Sequence, residues 1–224
     1  MRKLWATICL LAGLGFLLIG YYTGTTYYGR LYDVMASRGV HSIDVYEARL
    51  KRAVAYDPTY GYARAKLAQY YLRHGTSSMA LNEQLKAMET FNSVRNFAQL
   101  ATIYLRFGKE KEAKETFERA VRMNPNFIEA LERLAVLALR EGDSERVQEL
   151  TGEILRRDVK NLNAYYLRAK DSERRGDLNG ALLNYQTISA ELYRRKSELK
   201  DALFTEKEVR GKLDLLKKQL ESQG

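Results

Sequence analysis

VRNFAQLATIYLRFGKEKEAKETFERAVRMNP, residues Val94 to Pro125, is the stretch whose reading decides the fold. With Val94 counted as position 1, Phe97, Leu100, Ala101 and Tyr104 fall at 4, 7, 8 and 11. That is the i, i+3, i+4, i+7 spacing that gathers side chains on one face of a helix. Ala113, Phe117 and Ala120, at 20, 24 and 27, form a second such face. Gly108, at 15, separates the two faces. Glycine accepts the left-handed C-cap conformation without steric cost, so a tight turn is expected there. Pro125, at 32, lacks the N–H a third helical stretch would need and blocks continuation. The stretch therefore predicts two amphipathic helices joined by a short turn.

Outward in both directions the plan recurs. From Ile128, 34 residues after Val94, Leu131, Leu134, Ala135 and Ala138 lead to Gly142, then to Val147, Thr151 and Ile154; Val159 replaces the proline. From Leu162 the series is Tyr165, Ala169 and Ser172, then Gly176, Ala181, Tyr185 and Ile188. Upstream, a unit from Gly61, one residue shorter, carries Leu67, Ala68, Tyr71, Gly75, Ala80 and Ala87. Arg64 and Arg168 stand at positions that are apolar elsewhere in the series, so less regular packing is expected of the outer units. Ile43 to Tyr56 has the pattern of a second helix alone, with Tyr46, Leu50 and Ala53 spaced like 20, 24 and 27 and Asp57-Pro58 after it. Its matching first helix, around Tyr28 to Ser37, is only weakly specified.

Period and residue types together resemble the tetratricopeptide repeat (TPR) family over residues 61–195. The resemblance implies an all-α fold, a right-handed solenoid of helical hairpins with units at 61–93, 94–127, 128–161 and 162–195. Residues 1–29 are then a membrane anchor and interfacial stalk, 30–60 a partial repeat and connector, and 196–224 a C-terminal extended helix that caps the array or forms a coiled coil. A single hairpin cannot bury its apolar face, and stacked neighbours create a shared core.

The family places positions 2, 5, 9 and 12 of each first helix on a concave, partner-binding groove. On that basis Tyr62, Gln69, Leu72, Arg95, Thr102, Leu105, Val136, Leu139, Tyr166 and Lys170 are groove candidates. Some members grip a C-terminal carboxylate with Lys and Asn at 5 and 9. Here those positions hold Ala65 and Gln69, Ala98 and Thr102, Glu132 and Val136, and Tyr166 and Lys170, so that clamp is absent. Arg73, Arg106, Arg140 and Arg174 all occupy position 13. As a column they would engage an acidic partner segment through bidentate hydrogen bonds. The simpler account is that each cation favours the negative end of its own helix dipole.

Residues Leu4 to Tyr22 read LWATICLLAGLGFLLIGYY, without a charge. About 19 helical residues at ~1.5 Å each span roughly 28 Å, close to the ~30 Å of a bilayer's hydrocarbon. Trp5 at one end and Tyr21, Tyr22, Tyr27 and Tyr28 at the other suit the two headgroup interfaces. The run ends in Gly20-Tyr21-Tyr22, a poor cleavage site, and Cys9 lies within the run rather than after it. An uncleaved N-terminal transmembrane helix is expected. Arg2 and Lys3 favour a cytoplasmic N-terminus, which in a bacterium puts the repeats in the periplasm on the inner membrane.

From about Leu192 the chain reads as one further helix, with Leu199, Ala202, Val209, Leu213, Leu216 and Leu220 at a and d positions of a heptad. A cap over the last apolar face accounts for this, and self-association through a coiled coil is the alternative.

The 224 residues carry a formal charge of +9, mixed with acids along the helices rather than blocked. His41 and His74 lack partners at metal-ligand spacing, so no metal site is read. No cysteine nucleophile lies outside the apolar run and no glycine-rich phosphate loop occurs, so no catalytic residue and no cofactor is read, and an enzyme is not expected. The expectation is a membrane-anchored adaptor that binds acidic or amphipathic segments of other proteins in its groove. The alternative is a binding module for an anionic glycan or lipid headgroup; nucleic acid is disfavoured, since aromatics and cations do not share one strip.

Overall fold

The computed structural model describes residues 20–21, 23–35, 43–195 and 202–222. Secondary structure among them is α-helical throughout. The apolar segment 4–22 falls outside the described residues apart from Gly20 and Tyr21, and so does His41. Among the described residues no helix is long and apolar enough to cross a membrane.

The chain forms two compact units, divided between Lys109 and Glu110. The division passes through the turn of the hairpin that the sequence places at 94–127. Unit one holds α1 (23–35), α2 (Ile43–Tyr56), α3 (Gly61–Arg73), α4 (Ser77–Thr90) and α5 (Val94–Arg106). Unit two holds α6 (Glu110–Met123), α7 (Ile128–Glu141), α8 (Ser144–Arg157), α9 (Leu162–Arg175), α10 (Leu178–Arg195) and α11 (Glu206–Glu221). Within each unit, consecutive helices from α2 onward pack on one another, and α7 also meets α9, one repeat further on. This is the helical-hairpin solenoid architecture of TPR proteins.

The boundaries follow from local chemistry. Gly75, Gly108, Gly142 and Gly176 all sit at positive φ between the two helices of a pair. At Gly142 the C-cap amide returns to the Leu139 carbonyl and Asp143 N–H bonds to Ala138, closing the end of α7. Asp143 then accepts from the Arg146 amide and starts α8. Ser93, Asn161 and Thr205 cap α5, α9 and α11 in the same way.

In unit one the core gathers Leu50, Leu67, Tyr71, Ala80 and Ile103, from α2 to α5. Residues 23–35 are helical despite their weak pattern. Gly29 explains how: a Cβ there would stand 2.9 Å from Asp57 Cβ and 3.1 Å from the Ala53 carbonyl, so its absence lets α1 lie close against the end of α2. Asp33, buried, then reaches Lys66 at 2.8 Å and accepts from the Tyr60 hydroxyl at 3.2 Å. Burial, with Asp33 adding to it, pushes the Tyr60 phenol up to about 12.

Arg64 and Arg168, out of place in the repeat pattern, both find polar partners. Arg64 pairs with Glu83 at 2.8 Å and donates to the Pro58 carbonyl at 2.9 Å. Arg168 donates to Thr151 Oγ1 at 3.0 Å.

Gly61, at the first position of its repeat where the others carry Val94, Ile128 and Leu162, is buried under the end of α4. A Cβ there would stand 2.6 Å from Phe91 Cβ and 2.7 Å from the Ala87 carbonyl. Gly61→Ala is expected to lose about 2 kcal/mol through overpacking, against alanine's higher helix propensity. Urea unfolding followed by circular dichroism checks the sign; a stabilised variant would show that α3 and α4 can separate freely.

In unit two α11 and the residues before it close the array. Phe204, Val209 and Leu216 join Tyr185, Ile188 and Ala181 of α10 and Ala169 of α9 in one core. The single helix expected from Leu192 onward is instead two, for residues 202–205 are not helical. Thr205 accepts from the Glu208 amide and begins a new helix, and Phe204 turns inward beside it. Leu199 lies outside the described residues; Val209, Leu213 and Leu216 spend their apolar surface within the chain.

Candidate functional site

The groove candidates of unit one fall on α3 and α5, the first helices of two successive pairs. Gln99 Nε2 donates to the Ala65 carbonyl at 2.9 Å and so sets the spacing of these helices. Between them lies an open cleft of about 510 Å³. Tyr62, Gln69 and Arg95, all read from the sequence, line it. Thr102 sits further along α5, half-buried, with its hydroxyl bonded back to the Ala98 carbonyl at 2.8 Å.

One wall of the cleft is aromatic. Phe91 meets Tyr62 edge-on with ring centroids 5.8 Å apart, and both rings stay exposed. The Lys66 ammonium lies 4.5 Å from the Tyr62 centroid on its way to Asp33. Burial alone would lower the lysine's pKa; Asp33 outweighs it and raises the value above the usual range. Lys66 is thus committed to the fold. Arg95 is exposed and makes no ion pair among the described residues, and no carboxylate lines the cleft. The chemistry on offer is an aromatic wall of two rings set edge to face, an amide at Gln69 and a solvated guanidinium.

Sequence reasoning missed Phe91. It stands where the following repeat has Asn124, just before Pro125, so the signal was an aromatic in a turn position at the end of the one short repeat.

The remaining candidates are taken up within the chain to different degrees. Arg140 pairs with Glu110 at 3.1 Å. Arg174 donates to the Gly142 carbonyl at 2.6 Å and to Ser144 Oγ at 2.7 Å. Glu110 and Ser144 are equivalent residues, each two after its repeat's turn glycine. Position 13 in unit two therefore ties each first helix to the start of the preceding pair's second helix. Arg73 and Arg106 in unit one are exposed, without an ion pair among the described residues. Lys170 pairs with Glu173 at 3.2 Å, and Val136 is half-buried.

Tyr166 is covered. Phe204 stacks on its ring at 5.1 Å, and its hydroxyl donates to Glu208 at 2.8 Å. The Leu203 amide donates to Asn163 Oδ1 at 2.9 Å, and Lys212 pairs with Glu173 at 2.9 Å. The C-terminal segment thus lies over α9's candidates.

Asp171 is the buried polar hub of unit two. It accepts from Ser144 at 2.6 Å, Gln148 at 3.2 Å, and Arg174 and Arg175 each at 3.2 Å. Burial alone would raise its pKa; these donors outweigh it and hold it below the usual aspartate range. Its folded value is below its unfolded one, so its stabilisation is complete above about pH 4 and is lost as pH falls through the folded value. Asp171→Asn is expected to lose about 2 kcal/mol at neutral pH and to flatten acid unfolding below that point. Urea titrations across pH 2–7 measure both; an unchanged acid limb would show that the hub contributes nothing.

A tetratricopeptide repeat family model matches residues 94–137, the stretch formed by α5, α6 and much of α7. No curated protein sequence matches the chain at a significant level. Among solved structures, the fold resembles PilW, a widely conserved type IV pilus biogenesis factor, with TM-score 0.68 and 15% identity over 87% of this chain and 92% of that one. It also resembles Pseudomonas aeruginosa pilF, with TM-score 0.60 and 18% identity over 84% and 91% of the two chains. YrrB, a TPR protein with an unusual peptide-binding site, gives TM-score 0.60 and 16% identity over 78% and 87%. Sequence period, helical pairing and these likenesses agree: residues 94–137 match a tetratricopeptide repeat and the chain has the fold of that family.

Proposed function

We propose that this protein is a membrane-anchored scaffold that binds a peptide or helix of partner proteins in the α3–α5 cleft. The observation that carries this is the cleft itself, about 510 Å³, lined by the exposed Tyr62–Phe91 pair and by Arg95, which is exposed and makes no ion pair among the described residues. Aromatic surface supplies contact area and the guanidinium supplies orientation for an acidic or amphipathic segment. That YrrB has a peptide-binding site and PilW is a pilus biogenesis factor supports a role of this kind, in an envelope or membrane assembly complex. The anchor is the uncharged segment 4–22, with the N-terminus cytoplasmic and the repeats periplasmic, in a bacterial inner membrane. The fold serves as a platform and no reaction is assigned to it.

A photo-crosslinking residue at Gln69, in the full chain in its native membrane, tests the site. Capture of a discrete protein at Gln69, but not at the exposed Lys111 of α6, is expected. Equal capture at both positions would remove the cleft from the account. Arg73, Arg95 and Arg106, each exposed and without an ion pair among the described residues, favour the anionic glycan or lipid headgroup as second reading. It predicts binding that weakens steeply with salt.

A further inference from the structure

The two ends of the repeat array are finished differently. At the C-terminal end the outward face of α11 carries Lys207, Arg210, Asp214, Lys217 and Lys218, all exposed, as a terminal cap in water requires. At the N-terminal end α1 turns Gly29 and Asp33 inward and stacks Tyr32 on Tyr56 at 5.4 Å. Its other face is Tyr27, Tyr28, Leu31, Val34 and Met35, each between 38% and 65% exposed. Their spacing, i, i+1, i+4, i+7, i+8, makes one continuous helical stripe. A solvated first helix would carry charges there.

Two observations indicate what covers the stripe. It begins within the uncharged stretch from Leu4 to Gly29, only five residues after Tyr22 (27 − 22 = 5). It is also bordered by cations: Arg30 is exposed on the same helix, Arg52 lies 5.9 Å from the Tyr32 centroid and Arg49 donates to the Met35 carbonyl, whereas the carboxylates Asp33, Asp57 and Glu47 are buried or engaged with Lys66, Thr59 and Lys51. Tyrosine and aliphatic groups edged by cations match the headgroup layer of an anionic bilayer. We infer that the exposed face of α1 lies in that layer, so that the first helices of unit one rest on the membrane rather than hang from a free stalk. This rests on the proposed anchor but claims more than it.

Nitroxide labels on the full-length protein, in vesicles of phosphatidylethanolamine and phosphatidylglycerol, test it. Cys9 is the chain's one native cysteine and reports the anchor. Leu31→Cys and Val34→Cys, in a Cys9→Ser background, report the stripe, and Lys217→Cys reports bulk water. At 31 and 34, several-fold lower collision with a soluble nickel chelate than at 217 is expected, with oxygen access retained. Equal nickel access at 31, 34 and 217, with Cys9 still shielded, would overturn the inference and leave the anchor standing. Nickel access at Cys9 as well would bring down both. Shielding at 31 and 34 from nickel and oxygen alike, with dipolar broadening between copies, would replace the lipid with a second copy and also overturn it.

Discussion

Glu83→Ala is expected to destabilise unit one by about 3 kcal/mol. Arg64 sits at the fourth position of its repeat, where Phe97, Leu131 and Tyr165 stand in the others. Its side chain is only 12% exposed and that of Glu83 15%. Removing the carboxylate strands a guanidinium in a place built for an apolar group, with the Pro58 carbonyl as its remaining partner. Replacing both residues, Arg64→Leu with Glu83→Leu, is expected to be near neutral, because the pair's Coulomb energy roughly repays its desolvation. Thermal and urea unfolding of the three proteins distinguish the cases. A single mutant within about 0.5 kcal/mol of the parent would mean that the pair is solvated and contributes little.

Leu216→Asp is expected to cost unit two about 4 kcal/mol and to detach α11. Leu216 is 2% exposed and packs in the same core as Tyr185, Ile188 and Phe204. A carboxylate there must either be buried unpaired or pull the helix into water. Detachment also uncovers Tyr166, whose ring Phe204 covers and whose hydroxyl Glu208 holds. Lys218→Asp, exposed on the same helix, is the control and should stay within about 0.5 kcal/mol. Sedimentation alongside unfolding separates a cap from a coiled coil. Lost stability at unchanged mass supports the cap; a dimer that becomes a monomer with unit two still stable supports the coiled coil.

Much of this fold was legible because TPR physics is local. Gly108 and Pro125 punctuate the helices, and the apolar spacing between them fixes which face is buried. The tail was misread as one helix because a 3–4 spacing of leucines describes any single apolar face, whether it covers a neighbour or a second chain. The break depends on Thr205 as N-cap and Phe204 as insert, choices that acquire meaning only beside α9 and α10. The arginines at position 13 were legible as a column but not in their use: Arg140 and Arg174 serve the preceding repeat, and only three-dimensional neighbours reveal it. Of the groove candidates, Tyr62, Gln69 and Arg95 line one cleft, while Phe91 was hidden in a turn whose pattern carries no helical period.

Co-purification of the intact protein from its native membrane in mild detergent tests the central claim most directly, comparing the parent with Tyr62→Ala plus Arg95→Glu. Both residues are exposed, so unfolding midpoints of the two proteins should agree. The account predicts a specific protein that accompanies the parent and is lost from the equally stable variant. The same partners retained in full by the variant would contradict it.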